Sequence, residues 1–282
     1  MKFTRLLYLL GISLVAAVGC NSEVSLDFHK EGNCWQMSQK QFERFAKKLS
    51  TAAPDEAYRL IDSVYTTVDS LTAAEQDGTF IVFSDAMEQT FYQVDSPLRD
   101  DELYLRILDR EAHCTSLMST DYRRVDWKRH LLQANAVGSE VIDLPISDSN
   151  CDETSLHRLL DRQAVILIYG EDCKACTKLM EEAVNSSVLK KAASDDKLRL
   201  ISLYIGENND EFAAKSAVLK DWANYIDSRQ LVRYENAFDS RLVPSLYLIS
   251  DKKMVKVKGT LSVKEIEKAL DASAIYSTRI VL

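Results

Sequence analysis

Residues 169–176 read Tyr-Gly-Glu-Asp-Cys-Lys-Ala-Cys, so two cysteines are separated by two residues. This segment follows an apolar run, residues 164–168, that is typical of a buried strand, and precedes an amphipathic stretch, residues 177–189, that predicts a helix. Cys173 and Cys176 can therefore close a small disulfide ring at a strand-to-helix turn. Cys173 would lie at the helix N-terminus, where backbone N–H groups and the helix dipole favour a thiolate. The arrangement indicates a redox site.

Two other uses of the same motif stay open. A CxxC pair supplies half of a zinc site, but zinc takes four ligands, and no second CxxC or His-rich cluster follows in the sequence. A purely structural disulfide would stabilise little through chain entropy, because that contribution grows with the length of the closed loop. His113 and His130 have no partners at ligand spacing, so we expect no metal site. Redox chemistry is the favoured interpretation.

Residues 1–19 have the layout of a secretory signal. Two basic residues precede an uncharged apolar run, residues 6–18, which is too short to span a bilayer as a mature helix. Residues 17–20, Ala-Val-Gly-Cys, resemble the bacterial lipobox, with Ala in place of the usual Leu. This resemblance implies cleavage before Cys20 and a lipid on that cysteine. An ordinary signal peptide beside a chance cysteine is the alternative.

A lipid on Cys20 would tether an exported protein to a membrane on its periplasmic side. Asn21 stands where Asp is the familiar inner-membrane retention residue, and residues 22–27 carry no dense acidic run. We therefore expect attachment to the inner leaflet of the outer membrane. No second long apolar segment predicts a membrane span. The net charge of −8 argues against nucleic acid as a partner.

The cysteine count bears on the redox compartment. Six cysteines occur, and if one carries the lipid and the CxxC pair closes a disulfide, three remain: Cys34, Cys114 and Cys151. An odd number in an oxidising compartment leaves at least one thiol free or paired between chains. Cys34 and Cys114 can form a structural bridge, whereas Cys151 is expected to be a buried bystander, because free cysteines are often buried.

The first half of the chain predicts a helical domain. Residues 20–34 are expected to form a tether, and residues 35–135 a small all-α domain. Apolar residues recur at helical spacing in five segments, residues 42–49, 57–71, 80–91, 103–108 and 125–131. Their aromatic residues fit core packing better than a ligand groove. The sequence of this domain contains no recognisable catalytic motif. We expect the domain to present a partner or a substrate.

The second half, residues 136–282, alternates strands and helices. Strands are expected over residues 141–146, 164–168, 198–205, 245–249 and 254–258. Helices are expected over residues 177–189 and 208–229 and from a capping box at residues 262–265. The first strand contains Pro145, which fits a sheet edge. The strand, helix and strand around the CxxC imply a right-handed parallel crossover.

Residues 136–273 resemble a thioredoxin-like domain of the extracytoplasmic, membrane-tethered kind. Cys173-Lys174-Ala175-Cys176 matches the active-site motif of that family, and Val243-Pro244 matches its cis-proline dipeptide. The whole chain is similar to lipoproteins of Gram-negative bacteria that place a helical domain before a thioredoxin-like one. The resemblance implies an α/β thioredoxin-like fold, a central sheet flanked by helices, preceded by a small all-α domain.

The resemblance also implies roles for the matching residues. Cys173 would attack a substrate disulfide and Cys176 would resolve the mixed disulfide. An X-Pro bond adopts cis at modest cost, and the cis bond would turn the backbone of Val243, beside Pro244, toward an extended substrate. The implied activity is thiol-disulfide exchange without a cofactor. The implied partners are exported proteins with cysteines and a redox partner in the membrane or periplasm.

The sequence departs from cytoplasmic thioredoxins near the motif. Lys-Ala replaces their Gly-Pro between the cysteines, Asp172 replaces their Trp, and Leu167 replaces their buried Asp. The acidic Glu171 and Asp172 would raise the pKa of the thiol, whereas Lys174 and the helix would lower it. The direction of electron flow therefore stays open.

One alternative function belongs to another class. The chain would then be a thioredoxin-fold binding module whose helical domain captures a partner and whose CxxC is a structural disulfide. A copper or haem-maturation chaperone ranks lower, because no His follows the CxxC closely. A peroxidase ranks lower still, because the Thr and Arg that such enzymes place around a reactive cysteine are not evident.

Overall fold

The computed structural model describes residues 27–75, 78–207 and 209–278. The predicted signal segment and Cys20 lie outside these ranges. Within them, no helix combines the length and the hydropathy that a bilayer crossing requires.

The N-terminal domain is a helical bundle preceded by a β-hairpin. The hairpin strands are β1 (His29–Glu31) and β2 (Cys34–Gln36). The helices are α1 (Gln39–Thr51), α2 (Pro54–Glu75), α3 (Thr79–Phe91), α4 (Asp101–Glu111) and α5 (Ser119–Gln133). Capping side chains fix two of the starts, because Ser38 and Gln41 form a capping box and Asp100 accepts the N–H of Leu103 at 2.9 Å.

The hairpin differs from the tether that the sequence predicts up to residue 34. The N–H of Trp35 donates to the hydroxyl of Thr79 at 2.8 Å, and the ring of Phe28 lies 6.2 Å from that of Phe83. Phe28 is partly buried against the bundle core. Burial of this apolar surface explains why the end of a polar segment is ordered on the bundle.

The bundle core contains the predicted aromatic residues together with one buried carboxyl group. Phe83 packs edge-on against Phe42 and Tyr65, with ring centroids 6.1 and 5.4 Å away. The Tyr65 hydroxyl donates to Glu111 at 2.6 Å, and both side chains are buried. Burial raises the pKa of Glu111 because it disfavours the ionised carboxylate.

The C-terminal domain is built on a seven-stranded mixed sheet. Its strands are β3 (Pro145–Ser147), β4 (Glu153–Ser155), β5 (Gln163–Tyr169), β6 (Leu198–Tyr204), β7 (Ala223–Ile226), β8 (Ser245–Ile249) and β9 (Val255–Thr260). The spatial order is β4-β3-β7-β6-β5-β8-β9. Strands β5, β6 and β7 run parallel to one another, and β8 and β9 are antiparallel additions beside β5.

Helices cover both faces of the sheet. They are α6 (Leu156–Leu159), α7 (Lys174–Asn185), α8 (Ser187–Ser194), α9 (Asn209–Val218), α10 (Leu231–Tyr234) and α11 (Val263–Thr278). Alternate residues of β5 enter two separate apolar clusters, with Val165 and Leu167 on the α7 and α11 side and Ile166 and Ile168 on the α6 and α10 side. Burial of both faces explains the continuous apolar sequence of this strand.

Two predicted elements are wrong in detail. Residues 208–229 were expected to form one helix, but α9 ends at Val218 and residues 223–226 pair in parallel with β6. Leu219 and Trp222 are buried in the turn between them, so helical apolar spacing is present without a helix. The strand with Pro145 is shorter than residues 141–146 and is not the edge, because β4 pairs outside it.

The three remaining cysteines are unpaired. No disulfide joins Cys34 to Cys114, which corrects the possible bridge between them. Cys114 is buried and accepts a hydrogen bond from Arg110 at 3.1 Å, and burial raises the pKa of its thiol to about 11. Cys151 is exposed, contrary to the prediction, because it lies in the β3–β4 turn with a φ of 64°.

Candidate redox site

The sheet brings the CxxC segment and the Val243-Pro244 peptide to the same end. In the β5–β8 pair, Ile168 lies opposite Ser245, so the residues after β5 adjoin those before β8. The Val243-Pro244 peptide bond is cis. A Cβ atom on Gly170 would lie 3.5 Å from Cγ1 of Val243. The dipeptide therefore lies directly against the chain that leads into the cysteines.

Cys173 and Cys176 form a disulfide with an S–S distance of 2.08 Å and a Cα–Cα distance of 5.2 Å. Cys173 is the N-cap residue of α7, and its sulfur accepts the N–H of Cys176 at 3.1 Å. Cys173 is half-buried, whereas Cys176 is fully buried. An incoming sulfur can thus reach Cys173, at a helix N-terminus that stabilises negative charge, and not Cys176.

One turn of α9 holds the backbone that precedes Cys173. The N–H of Asp172 donates to both carboxylate oxygens of Glu211, at 3.2 and 3.3 Å. Lys215 Nζ donates to the buried carbonyl of Gly170 at 2.8 Å and forms an ion pair with Glu211. The hydrogen bond from Lys215 holds the pKa of Glu211 below its ordinary value. Both ends of residues 170–172 are therefore fixed by a single charged pair.

Asp172 needs this support because its backbone is left-handed, with a φ of 47°. Tyr169 is buried under the loop, and its ring centroid lies 5.3 Å from that of Tyr204. Lys215 Nζ lies 5.8 Å from the centroid of the Tyr169 ring. Burial raises the pKa of Tyr169 to about 12. The loop thus packs on a buried aromatic ring, while the side chains of Glu171, Asp172 and Lys174 are exposed to solvent.

The predicted site residues fall into two groups. Cys173, Cys176, Val243 and Pro244 lie at one end of the sheet, whereas Cys20 lies outside the described residues. Leu167, at the position of the thioredoxin Asp, is fully buried. Among residues 27–75, 78–207 and 209–278, no group of three or more His, Cys, Asp or Glu side chains is arranged to hold a metal ion.

Sequence reasoning missed Glu211 and Lys215. Their four-residue spacing predicts an ion pair along a helix. Nothing in that spacing indicates which surface the pair faces, and only the α9 position beside β6 places it under the CxxC loop.

A CxxC at the start of a helix after a central parallel strand, beside a cis-proline that opens the adjacent antiparallel strand, is the arrangement of a thioredoxin-like fold. A thioredoxin-like protein from Bacteroides caccae has the same fold: it is 22% identical, with a TM-score of 0.71, over 83% of this chain and 82% of that one. The matched share exceeds the C-terminal domain, so the likeness includes helical residues. The protein therefore has the predicted thioredoxin-like fold, with its central sheet flanked by helices, and a helical domain precedes it.

Two further structures match the chain over about half its length. The C-terminal domain of an uncharacterized protein from Bacteroides fragilis is 24% identical over 49% of this chain and 99% of that chain, with a TM-score of 0.47. The thioredoxin domain of a thiol-disulfide oxidoreductase from Bacteroides vulgatus is 14% identical over 47% of this chain and 96% of that chain, with a TM-score of 0.39. No protein-family profile matches the sequence, and no curated protein matches it significantly.

Proposed function

We propose that the protein is a thiol-disulfide oxidoreductase that exchanges disulfides with exported proteins through Cys173 and Cys176. The observation that carries the proposal is the pairing of a half-buried Cys173 sulfur at a helix N-terminus with a fully buried Cys176. This asymmetry separates an attacking thiol from a resolving thiol.

The exchange consists of two displacements. In the reductive direction, the Cys173 thiolate attacks a substrate disulfide, forms a mixed disulfide and releases one substrate thiolate. The Cys176 thiolate then attacks the sulfur of Cys173, which closes the protein disulfide and releases the second substrate thiolate. The substrate gains two electrons and the protein loses two, so a dithiol donor in the cell envelope must restore the protein. The reverse sequence oxidises a substrate dithiol.

Val243 and Pro244 are proposed as the substrate-binding edge. Val243 has an extended backbone, with φ −96° and ψ 125°, and is half-buried beside Gly170. An extended peptide can add to such an edge through backbone hydrogen bonds, because strand addition needs only an accessible, extended partner. Because Val243 lies against Gly170 in the CxxC loop, a peptide bound to Val243 would have its disulfide near Cys173.

The proposed location is the periplasm, with a lipid on Cys20 as the tether and the inner leaflet of the outer membrane as the attachment site. The support for this location is the lipobox-like sequence at residues 17–20. Cys20→Ala in the full chain is expected to release the protein from the membrane fraction.

A mixed-disulfide trap tests the activity. The chain from Asn21 onward is expressed in the periplasm with Cys176→Ser, and covalent adducts are identified by mass spectrometry. In the Cys176→Ser variant, Cys173 can form a mixed disulfide that nothing resolves, so we expect covalent adducts. These adducts should disappear when Cys173→Ser is added. Since Cys151 is also exposed, Cys151→Ser in the trapping background is the matched control and is expected to retain the adducts.

The trap also separates the two functional classes. Adducts that depend on Cys173 would identify substrates or the dithiol donor. An absence of Cys173-dependent adducts, together with no reaction of reduced Cys173 with added disulfides, would contradict the proposal and favour a binding module with a structural disulfide.

A further inference from the structure

The helical domain holds the segment that leads into the cis peptide. We call residues 237–242 the approach segment. At its start, Asn135 Nδ2 donates to the carbonyl of Ala237 at 2.7 Å. At its end, Arg241 Nη1 donates to the carbonyl of Tyr92 at 3.2 Å. Tyr92 caps α3 and Asn135 lies two residues after the end of α5, so the helical domain and the residues that directly follow it hold both ends of the approach segment.

Arg241 is the centre of the second contact. Its guanidinium carbon lies 3.7 Å from the centroid of the Tyr92 ring, and its Nε donates to Asp239 at 2.9 Å. The side chain of Asp239 is completely buried. A planar guanidinium can bind a carboxylate through one edge and stack on an aromatic ring through its face. Arg241 therefore joins the approach segment to the helical domain without an unpaired charge.

A third contact extends the same interface across the sheet edge. Lys258 on β9 donates from Nζ to the carbonyls of Leu132 and Ala134, at 2.8 and 2.7 Å. These carbonyls belong to the C-terminal end of α5, where a positive charge is favourable. The helical domain thus contacts both the approach segment and the edge of the sheet next to β8.

We propose that the helical domain supports the cis-proline loop, and that Tyr92 and Arg241 are positioning residues for binding of an extended peptide at the redox site. The inference rests on the proposed function, in which Val243 binds the substrate backbone. Of the three contacts, none involves Cys173 or α7. Loosening the support is therefore expected to weaken the reaction with peptides and to leave the sulfur chemistry unchanged.

The test compares Tyr92→Leu with Tyr92→Phe in the chain from Asn21 onward. The Tyr92 hydroxyl has no hydrogen-bond partner among the described residues, so Phe keeps the stacking surface that Leu removes. The measured quantities are the second-order rate constants of the reduced protein with a disulfide-containing extended peptide and with dithiodipyridine, which has no peptide backbone. For Tyr92→Leu we expect a loss of about tenfold with the peptide and a change of less than about twofold with dithiodipyridine. Tyr92→Phe is expected to react with the peptide like the unmodified protein.

Two further variants control for a general loss of stability as the cause of a slower reaction. Tyr58→Leu makes the same substitution at a ring that Arg106 covers at 4.5 Å within the helical domain, and is expected to react like the unmodified protein. Arg241→Lys keeps the charge beside Asp239 but lacks the planar fork. It is expected to reproduce the selective loss with the peptide, and it replaces Tyr92→Leu if that variant does not fold.

The outcomes separate the two proposals. Unchanged peptide rates in Tyr92→Leu and Arg241→Lys, or an equal loss with both disulfides, would overturn the supporting role. An unmodified protein that reacts with neither disulfide would overturn the proposed function instead. In that case, hydrogen exchange still tests the support, since the amides of residues 237–243 must exchange faster in Tyr92→Leu than in Tyr92→Phe.

Discussion

Lys215 shows how one side chain can determine the shape of the CxxC loop. It is the charged donor to a buried carbonyl at Gly170 and also the counterion of Glu211, which in turn binds the N–H of Asp172. The left-handed backbone of Asp172, next to Cys173, costs free energy unless its surroundings hold it. The ion pair therefore stabilises a backbone conformation that the loop sequence alone does not favour.

Lys215→Met is expected to lower the free energy of unfolding of the disulfide form by about 1–3 kcal/mol, because a buried carbonyl loses its charged donor. Urea denaturation measures this change. Lys178→Met is the matched control: Lys178 faces Glu182 at the same helical spacing, but it is 81% exposed and 4.0 Å from its partner. That variant should lose less than about 0.5 kcal/mol. Equal losses in both variants would show that Lys215 does not support the loop.

The free cysteines provide a second prediction at the residue scale. Burial raises the pKa of Cys114 to about 11, so only about one thiol in a thousand is ionised at pH 8. Cys151 is exposed. With iodoacetamide on the folded protein, we expect modification of Cys151 within minutes and of Cys114 only after denaturant is added. Mass spectrometry of the digested protein measures both sites, and rapid labelling of Cys114 in the folded protein would contradict its burial.

Among elements, periodicity predicted those with a long or strict pattern. The five helices of the first domain follow apolar spacing of helical period, and strands β5, β6 and β8 are recognised as short apolar runs rich in β-branched or aromatic residues. Strand β7 was missed because its four residues follow α9 with buried Leu219 and Trp222 at helical spacing. Its strand character comes from pairing with β6, a tertiary contact that local sequence does not encode.

The candidate site was predictable only in part for the same reason. The cysteines and Pro244 belong to short motifs, which can be recognised locally. The Arg241–Tyr92 contact joins residues 149 positions apart, and neither residue carries a motif. Such a contact depends on how two domains pack, so a single sequence provides no periodicity or spacing from which to infer it.

The pairing of α2 and α4 predicts a pH effect on stability. The pKa of Glu111 is raised in the folded state by burial, with Tyr65 as its donor. The folded state therefore retains a proton that the unfolded state releases, and stability from this group falls as pH rises from the unfolded pKa to the folded pKa. Glu111→Gln keeps an acceptor for Tyr65 and cannot ionise. Its stability relative to the unmodified protein should rise as the pH increases above the ordinary pKa of a glutamate.

Urea titrations at several pH values measure the effect of Glu111→Gln. Glu102→Gln, at an exposed position of the same helix, controls for the change in net charge. A stability difference between Glu111→Gln and the unmodified protein that stays constant across the pH range would contradict the burial argument.

At the scale of the whole molecule, polar contacts couple the domains. Lys258 is partly buried and burial lowers its pKa, yet its ammonium satisfies two carbonyls at the end of α5. Arg241 and Asn135 add contacts from the approach segment. Because each of these groups would lose a partner if one domain unfolded alone, we expect the two domains to unfold together.

Lys258→Met tests this coupling, because it removes the donor to two carbonyls and should weaken the interface by about 1–3 kcal/mol. Two local probes report the domains separately: alkylation of Cys114 in the helical domain and fluorescence of Trp222 in the thioredoxin-like domain, with the other tryptophans replaced by Phe. In the unmodified protein, the two urea midpoints should coincide, whereas in Lys258→Met the Cys114 midpoint should fall below that of Trp222. Lys256→Met, at an exposed position of the same strand, should leave the midpoints together. Separate midpoints in the unmodified protein would contradict the coupling and would mean that the helical domain folds independently. The helical domain would then support the cis-proline loop only under conditions in which both domains are folded.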